Sequence, residues 1–325
     1  MSKDSKMSKD IRDAFFDEIC SFAMKDKDVI VLTDDFDVFS LRKLKEERPD
    51  QFINVGVAEQ NMIAVAAGLA SMGKKVFVFG ISSFVLFRCY EQIKFLICSM
   101  NLPVKIVGIG SGLSFGFDGP THHGVQDIAV ARTLPEMRIY NPSDSLLAAN
   151  CAIEVMKTNE PCYIRIDKGI LPDVYSWLRS DMCWQGFLRA GMPPRSTRPR
   201  NVKIIISTGK FVCMAKEIAI EADVDVIDIY RIKPLADELA DELRQYENIY
   251  VLEEHCLTGG LGSAILEFCS DHKINIPIQR IAIPDEHCFK YASRDWLLED
   301  YQLTKDQIRN EVSANRSGTG AVSVG

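Results

Sequence analysis

Short apolar runs alternate with longer amphipathic segments along most of the 325-residue chain. In the first half, β-branched runs at residues 29–33, 76–79, 104–108 and 162–166 predict strands that are buried on both faces. The segments between these runs have helical spacing. Because neighbouring parallel strands need a helical crossover, the alternation predicts an α/β fold whose parallel sheets are covered on both faces.

The pattern divides the chain into two such domains. Periodicity is lost between residues 176 and 200, where prolines stand among arginines, and this composition is typical of a linker. We therefore expect a first parallel-sheet domain at 7–175 and a second at 201–312. The last segment, 313–325, is small and polar, and we expect it to be disordered.

Charge and cysteine content limit the classes of function. A formal net charge of −7 argues against a general grip on nucleic acid, which needs a basic surface. No apolar run reaches about 18 residues, so we expect no membrane span, and the polar N-terminus lacks the apolar core of a signal peptide. The ten cysteines show no Cys-x-x-Cys spacing. They are expected to be reduced core residues of a cytoplasmic protein, not disulfides or zinc ligands.

Two stretches of the first domain have alternative interpretations. Glu59 stands where a strand becomes an apolar helix, either as a first-turn carboxylate favoured by the helix dipole or as a carboxyl whose apolar pocket raises its pKa. Phe84, Phe87 and Tyr90 follow at spacings of three residues. They form either a core stripe or an aromatic wall for a flat ring.

The stretch Asp-Gly-Pro-Thr-His-His, residues 118–123, lies in a loop beyond a strand, at the edge of the sheet where α/β proteins bind ligands. Asp118, His122 and His123 are candidates for acid–base chemistry or hydroxyl recognition, and too few ligands are present for zinc. Arg165 and Lys168 could hold an anionic group or be a solvated strand end.

Four glycines precede that stretch, one at the end of the strand and three in the loop. Their spacing is not Gly-x-Gly-x-x-Gly, and no P-loop lysine follows them. A loop that needs positive φ values is therefore favoured over a nucleotide site. These glycines are Gly108, Gly110, Gly112 and Gly116.

Together, four segments resemble the thiamin-diphosphate-dependent transketolase family. They read NVGVAEQNMI, FVLFRCYEQI, DGPTHHGVQDIAVARTLPEM and EEHCLTGGLGSAI, within a match over residues 11–312. The resemblance implies that family's pyrimidine-binding domain followed by its C-terminal domain. It also implies the transfer of a two-carbon ketol unit from a ketose to an aldose-type acceptor, with thiamin diphosphate and Mg²⁺ as cofactors.

The resemblance also assigns roles to residues. A family glutamate that shares a proton with the cofactor's aminopyrimidine falls on Glu59, and the family's aromatic ring pocket falls on Phe84, Phe87 and Tyr90. The resemblance makes Asp118 a reader of a substrate hydroxyl and His122 a contact to the reacting end of the substrate. We therefore expect Glu59 and His122 to be catalytic.

The anion-binding end of the site departs from the family pattern. Lys168 replaces an arginine that grips the substrate phosphate in the family, with Arg165 beside it, and His123 replaces a common glutamine. Gly110 stands where full-length members have a phosphate-contacting histidine. These departures predict weaker use of ordinary sugar phosphates than in full-length members of the family.

The family's diphosphate-binding domain has no counterpart in this chain, which contains no Gly-Asp-Gly motif. The resemblance therefore implies a split transketolase. A separate N-terminal subunit would hold the diphosphate and most of the Mg²⁺ coordination, and this chain, which offers no metal ligands itself, would be active only with that partner in an α₂β₂ assembly. Sugars or sugar-phosphate-like molecules would be the substrates.

Other functions remain open at this point. A 2-oxoacid dehydrogenase E1 β subunit shares the architecture and the glutamate, and a deoxyxylulose-phosphate-synthase-like carboligase is a second enzyme alternative. A non-catalytic scaffold paralogue is an alternative from another class. The Asp-Gly-Pro-Thr-His stretch favours transketolase, because it offers groups that can read sugar hydroxyls.

Overall fold

The computed structural model describes residues 9–176, 178, 185–190 and 202–314. Its strands form two sheets, of seven and of five strands. Most of the expected linker and of the expected tail lies outside the described residues, namely 177, 179–184, 191–201 and 315–325.

Twelve strands are found in the described part of the chain. In chain order they are β1 (Val29–Thr33), β2 (Phe52–Asn54), β3 (Lys75–Ile81), β4 (Lys105–Ile109), β5 (Arg138–Tyr140), β6 (Cys162–Ile166), β7 (Leu188–Arg189), β8 (Lys203–Ser207), β9 (Asp225–Asp228), β10 (Arg231–Lys233), β11 (Asn248–Cys256) and β12 (Ile278–Ile283). The strand order is β10-β5-β6-β4-β3-β1-β2 in the first sheet and β12-β11-β8-β9-β7 in the second. Only the edge strands β10 and β7 run antiparallel to their neighbours among these described strands.

The helices cover both faces of the two sheets. They are α1 (Ile11–Ala23), α2 (Arg42–Glu47), α3 (Glu59–Ser71), α4 (Ser82–Leu86), α5 (Tyr90–Gln92), α6 (Asp127–Arg132), α7 (Ser145–Lys157), α8 (Phe211–Ala222), α9 (Leu239–Leu243), α10 (Leu261–Asp271), α11 (Arg294–Asp300) and α12 (Lys305–Ala314). Two apolar core clusters result, one containing the buried faces of α1, α7 and α8 and the other those of α3 and α10. The predicted α/β class with parallel sheets is confirmed.

Strand burial explains why the sheets are parallel. β1, β4 and β6 are buried along their whole length, as expected for strands with helices on both faces. The helix α7 begins at a polar cap, because the Asp144 side chain accepts a hydrogen bond of 2.7 Å from the backbone N–H of Leu147. The carboxyl ends of the central strands therefore meet along one edge of the first sheet.

The second unit, here residues 185–190 and 202–314, shares a sheet with the first unit, residues 9–176. The sequence pattern did not predict this shared sheet. β10 lies in the second half of the chain, yet it pairs with β5, with Arg231 opposite Tyr140 and Lys233 opposite Ile139. Three residues before a proline carry too little periodicity to predict a strand. The two predicted domains are therefore connected by main-chain hydrogen bonds.

The helix predicted over residues 83–100 is interrupted. α4 ends at Leu86, α5 covers three residues, and a π-helical segment, Ile93–Cys98, follows. The aromatic side chains at positions 84, 87 and 90 therefore do not lie on one face of a straight helix, which was the assumption behind the stripe.

Candidate active site

The candidate active site lies at the carboxyl edge of the first sheet. β1 leads to Asp34, β3 leads into α4, β4 leads into the loop 110–124, and β6 leads to Asp167 and Lys168. α3 follows β2 and brings Glu59 to the same edge. Because these strands are parallel and adjacent, residues that are distant in sequence converge there.

Glu59 is the first residue of α3 and is only 3 % exposed. Its carboxylate Oε1 accepts a hydrogen bond of 2.6 Å from Nη1 of Arg88, whose side chain is 45 % exposed. Burial of Glu59 agrees with the sequence-based expectation, but its surroundings are not apolar throughout, because a guanidinium lies against it. Among the described residues, no donor is bonded to Oε2, so this oxygen can receive a donor from a ligand.

Asp34 was missed by the sequence analysis. It is buried directly after β1, and burial raises its pKa to about 6, with the charge of Glu59 acting in the same direction. A Cβ atom at Gly80 would lie 2.2 Å from Asp34 Oδ2 and 2.6 Å from Val85 Cγ1, so a larger residue there would displace these side chains. The signal that could have revealed Asp34 is its position immediately after a fully buried parallel strand.

Of the three aromatic candidates, Phe84 lies closest to the polar groups of the site. The guanidinium of Arg88 is 4.6 Å from the Phe84 ring centroid, and the His122 ring meets Phe84 edge-to-face at 4.9 Å. Phe87 and Tyr90 are half-buried against a core cluster, and the Tyr90 hydroxyl lies 2.9 Å from Thr133 Oγ1. The structure therefore separates Phe84 from the other two.

The loop residues 118–123 differ in their access to solvent. Asp118 is exposed and His122 is half-buried, with His122 Nδ1 2.9 Å from the Thr121 hydroxyl. His123 is only 2 % exposed, and burial lowers the pKa of its imidazole. The ring of His123 is therefore buried against the backbone of Phe115 and Gly116, and its expected contact with substrate stays a prediction.

Phe115 is a second residue that the sequence analysis missed. The ammonium of Lys168 lies 4.0 Å from the centroid of the Phe115 ring, and the centroid of the His122 ring lies 5.9 Å from it. Burial lowers the pKa of Lys168, and the nearby carboxylate of Asp118 acts against this effect. Phe115 thus connects the histidine of the loop to the lysine after β6.

Arg165 and Lys168 are three residues apart but lie in different environments. Arg165 is buried, and its guanidinium donates to Asp127 Oδ2 at 2.8 Å, to the carbonyl of Gly124 at 2.7 Å and to the carbonyl of Glu254 at 3.0 Å. These bonds engage Nε and Nη2 of Arg165 within the chain, and its expected role in holding a substrate anion stays a prediction. The Arg165 side chain connects the end of the loop, at Gly124, to Glu254 of the second unit, whereas the Lys168 ammonium lies over the ring of Phe115 in the same loop.

These contacts form a continuous wall along the edge of the sheet. The wall begins at a buried carboxylate, passes through aromatic rings and a histidine, and ends at an ammonium group. Such an arrangement can exchange a proton at one end, read hydroxyl groups in the middle and compensate a negative charge at the other end. In order, its members are Glu59, Arg88, Phe84, His122, Phe115 and Lys168.

The four glycines before residue 118 are needed for two different physical reasons. Gly110 and Gly112 have φ values of +94° and +59°, as the sequence analysis expected of this loop. Gly108 and Gly116 are instead required by close approach, because a Cβ atom there would lie 2.5 Å from the Tyr163 hydroxyl and 2.5 Å from the Ala292 carbonyl oxygen.

Replacement of Gly110 by alanine should displace Phe115. A Cβ atom at position 110 would lie 2.0 Å from Cε2 of the Phe115 ring. Gly73 is a matched control, because its φ is +86° and nothing lies within 4 Å of its Cβ position. We expect Gly73→Ala to cost about 1–2 kcal/mol of unfolding free energy from φ strain alone. Gly110→Ala should cost about 1–3 kcal/mol more because of the collision, as measured by urea denaturation; equal losses would contradict the packing.

Metal, cysteine and membrane features add little to this site. Among residues 9–176, 178, 185–190 and 202–314, no group of three His, Cys, Asp or Glu side chains is arranged to hold a metal ion. Nine described cysteines are free, and all but Cys213 are buried, which agrees with their expected place in the core. No helix in the same ranges is both long enough and apolar enough to cross a membrane.

Family models match both parts of the chain. Residues 7–173 match the transketolase pyrimidine-binding domain, and residues 196–308 match the transketolase C-terminal domain. One solved structure, a split-gene transketolase described as an inactive β4 tetramer, has a TM-score of 0.81 and 27 % identity, and the match covers 95 % of this chain and 99 % of that one.

Two curated relatives match nearly end to end. The first, one of the subunits of the apulose-4-phosphate transketolase of Phocaeicola vulgatus, is 32 % identical, over 91 % of this chain and 94 % of the relative. The second, a 6-deoxy-6-sulfo-D-fructose transketolase subunit of Clostridium sp., is 30 % identical, over 92 % of each. On these matches and on its fold, the chain belongs to the transketolase family, with the pyrimidine-binding and C-terminal domains of that family.

Proposed function

We propose that this chain is the pyrimidine-binding and C-terminal subunit of a two-polypeptide transketolase. The assembled enzyme would transfer a two-carbon ketol unit from a ketose to an aldose-type acceptor. The observation that carries the proposal is the wall itself, in which a buried carboxylate, Glu59, is connected through His122 to the ammonium of Lys168. The relatives named as transketolase subunits support the same assignment.

The residues at the Glu59 end fit thiamin diphosphate, on which the transketolase family depends. Oε2 of Glu59 can accept from the ring, and the half-buried Phe84 offers an aromatic face beside it. When bound, the cofactor supplies the nucleophilic carbon that breaks and remakes the carbon–carbon bond. Phe87 and Tyr90 remain candidates for the same pocket, because both are half-buried on the neighbouring segment.

Each residue of the wall has a separate task in this proposal. Glu59 holds or releases a proton at the aminopyrimidine ring, and Arg88 keeps the carboxylate in place through Oε1. His122 and Asp118 read the hydroxyl groups of the sugar and orient the reacting carbonyl. Lys168 binds an anionic group at the far end of the substrate.

The partner would supply what this chain lacks. A Gly-Asp-Gly-bearing subunit would hold the diphosphate and Mg²⁺, and an α₂β₂ assembly would contain two active sites. The domain division 7–175, linker 176–200 and 201–312 belongs to the same proposal. It is supported by the two sheets and by the family-model matches to 7–173 and 196–308.

Co-purification with the Gly-Asp-Gly-bearing partner and an assay of aldehyde release from ketose donors would test the function. We expect ketol transfer and no consumption of pyruvate. Pyruvate decarboxylation would instead favour the 2-oxoacid dehydrogenase or carboligase alternative. An assembly that binds no cofactor would favour the scaffold alternative.

Replacement of Lys168 by glutamine should raise the KM for an anionic substrate by about 10- to 100-fold, the equivalent of a charged hydrogen bond of about 1.5–3 kcal/mol. The effect on kcat should be smaller, because the lysine lies at the far end of the wall from Glu59. Lys157→Gln, which removes an exposed lysine on α7, is the control. Steady-state kinetics with anionic and neutral sugars would measure the change in KM of Lys168→Gln. An unchanged KM for every anionic sugar would show that Lys168 binds no anion.

A further inference from the structure

Segments of the second unit pack closely against the loop that follows β4. A Cβ atom at Gly112 would lie 2.5 Å from the Glu254 carboxylate, and one at Gly116 would lie 2.5 Å from the Ala292 carbonyl oxygen. Glu254 also accepts a hydrogen bond of 2.8 Å from the backbone N–H of Leu113. Both glycines therefore allow segments of the second unit to touch the loop that carries Phe115 and Asp118.

Arg294, at the start of α11, is the central residue of these contacts, because it binds carboxylates on both sides. Its Nη1 and Nη2 donate to Oδ1 and Oδ2 of Asp167 at 2.8 and 2.7 Å. Its Nε and Nη2 donate to Oε1 and Oε2 of Glu254 at 2.9 and 2.7 Å. One guanidinium thus binds two carboxylates in parallel pairs, which fixes both geometrically.

The two carboxylates fix two different segments at the Lys168 end of the wall, which we call the substrate end. Asp167 Oδ1 accepts a hydrogen bond of 2.8 Å from the backbone N–H of Lys168 and so shapes the turn that carries the lysine. Glu254 holds the loop after β4 at Leu113. Burial alone would raise the pKa of Asp167, but Arg294 beside it keeps the pKa below its usual value. The charged form that binds Arg294 is therefore the one present near neutral pH.

We propose that Arg294 is a positioning residue for the substrate end of the active site. Through Asp167 and Glu254 it sets Lys168 and the loop of Phe115 relative to each other. The second unit would thereby take part in substrate binding although none of its described side chains belongs to the wall. What this end binds rests on the proposed function, whereas the coupling between Arg294 and the two loops does not.

Hydrogen exchange of the full chain tests the coupling without any assay of activity. Arg294→Lys keeps the buried positive charge, so the two buried carboxylates are not left unpaired. It removes the planar guanidinium that binds each carboxylate with two hydrogen bonds. We expect amide exchange about tenfold faster in peptides covering 111–118 and 166–169, with unchanged exchange in 59–71 and 82–92. Arg309→Lys, in an exposed ion pair with Glu221 on the same unit, is the matched control.

Unchanged exchange in both loops would overturn the proposal. Equal acceleration throughout the chain would also overturn it, because Arg294 would then only stabilise the fold. If the lysine variant does not fold, Glu254→Gln weakens the same contacts with less charge imbalance. Amide exchange must then become faster selectively in residues 111–118.

Kinetics of the assembled enzyme separate positioning from stability. For Arg294→Lys we expect the KM of an anionic ketose to rise about tenfold, while the apparent affinity for thiamin diphosphate changes less than about twofold. Parallel loss of substrate and cofactor affinity, or an unchanged KM, would contradict a positioning role. A wild-type assembly without ketol transfer would refute the proposed function, and the exchange experiment would still decide the role of Arg294.

Discussion

Replacement of Glu59 by glutamine is expected to lower the turnover of the assembled enzyme by about 10²- to 10⁴-fold, the range for loss of a positioned acid–base group. Glutamine has nearly the size of glutamate, and its amide oxygen can still accept from Arg88. It cannot, however, hold or release a proton at the cofactor ring. The fold should therefore be kept while the chemistry is lost.

The measurement is the exchange of the thiazolium C2 proton for deuterium in the assembled enzyme, followed by NMR after rapid quenching. The exchange rate should fall in Glu59→Gln and remain at the wild-type value in Glu91→Gln, which changes an exposed glutamate on α5. Cofactor affinity, measured by calorimetry, separates lost chemistry from lost binding. Wild-type exchange in Glu59→Gln would remove this residue from its proposed role.

The isolated chain is expected to have no ketol-transfer activity and to bind thiamin diphosphate weakly or not at all. It offers a carboxylate and an aromatic face for the ring. Within the described residues it offers no cluster of three or more acidic, histidine or cysteine side chains for Mg²⁺. A diphosphate without its metal and its donors is poorly compensated in charge, so binding at this end alone should be weak.

Calorimetric titration of the purified chain with thiamin diphosphate and Mg²⁺, before and after addition of the partner, measures this expectation. Binding and ketol transfer should appear together when the partner is present. An assembly with Glu59→Gln is a useful control, because it should restore the metal-bound diphosphate contacts but not the activity. Tight binding with turnover by the chain alone would refute the two-polypeptide proposal.

Local patterns in the sequence determined the fold class and the position of several groups. β-branched runs that are buried on both faces require parallel strands, and the structure has them at β1, β4 and β6. The junction between β2 and α3 predicted Glu59 in a first helical turn, and the structure shows that this turn is buried. The segment 118–123 was recognisable as a loop that follows a strand at the carboxyl edge of the sheet, because glycine, proline and polar residues succeed an apolar run.

Only the tertiary structure decided which candidates meet. The sequence did not distinguish Arg165 from Lys168, since both are basic residues at the end of the same strand. In the structure Arg165 is buried between the two units, whereas Lys168 lies over an aromatic ring. Arg88, Phe115 and Arg294 act through partners 29, 53 and 127 residues away, at Glu59, Lys168 and Asp167. No periodicity records such pairs, because they depend on how strands and loops from distant parts of the chain pack at one edge of the sheet. The sequence by itself determines the elements and the chemical groups available, and packing determines which of those groups share a site.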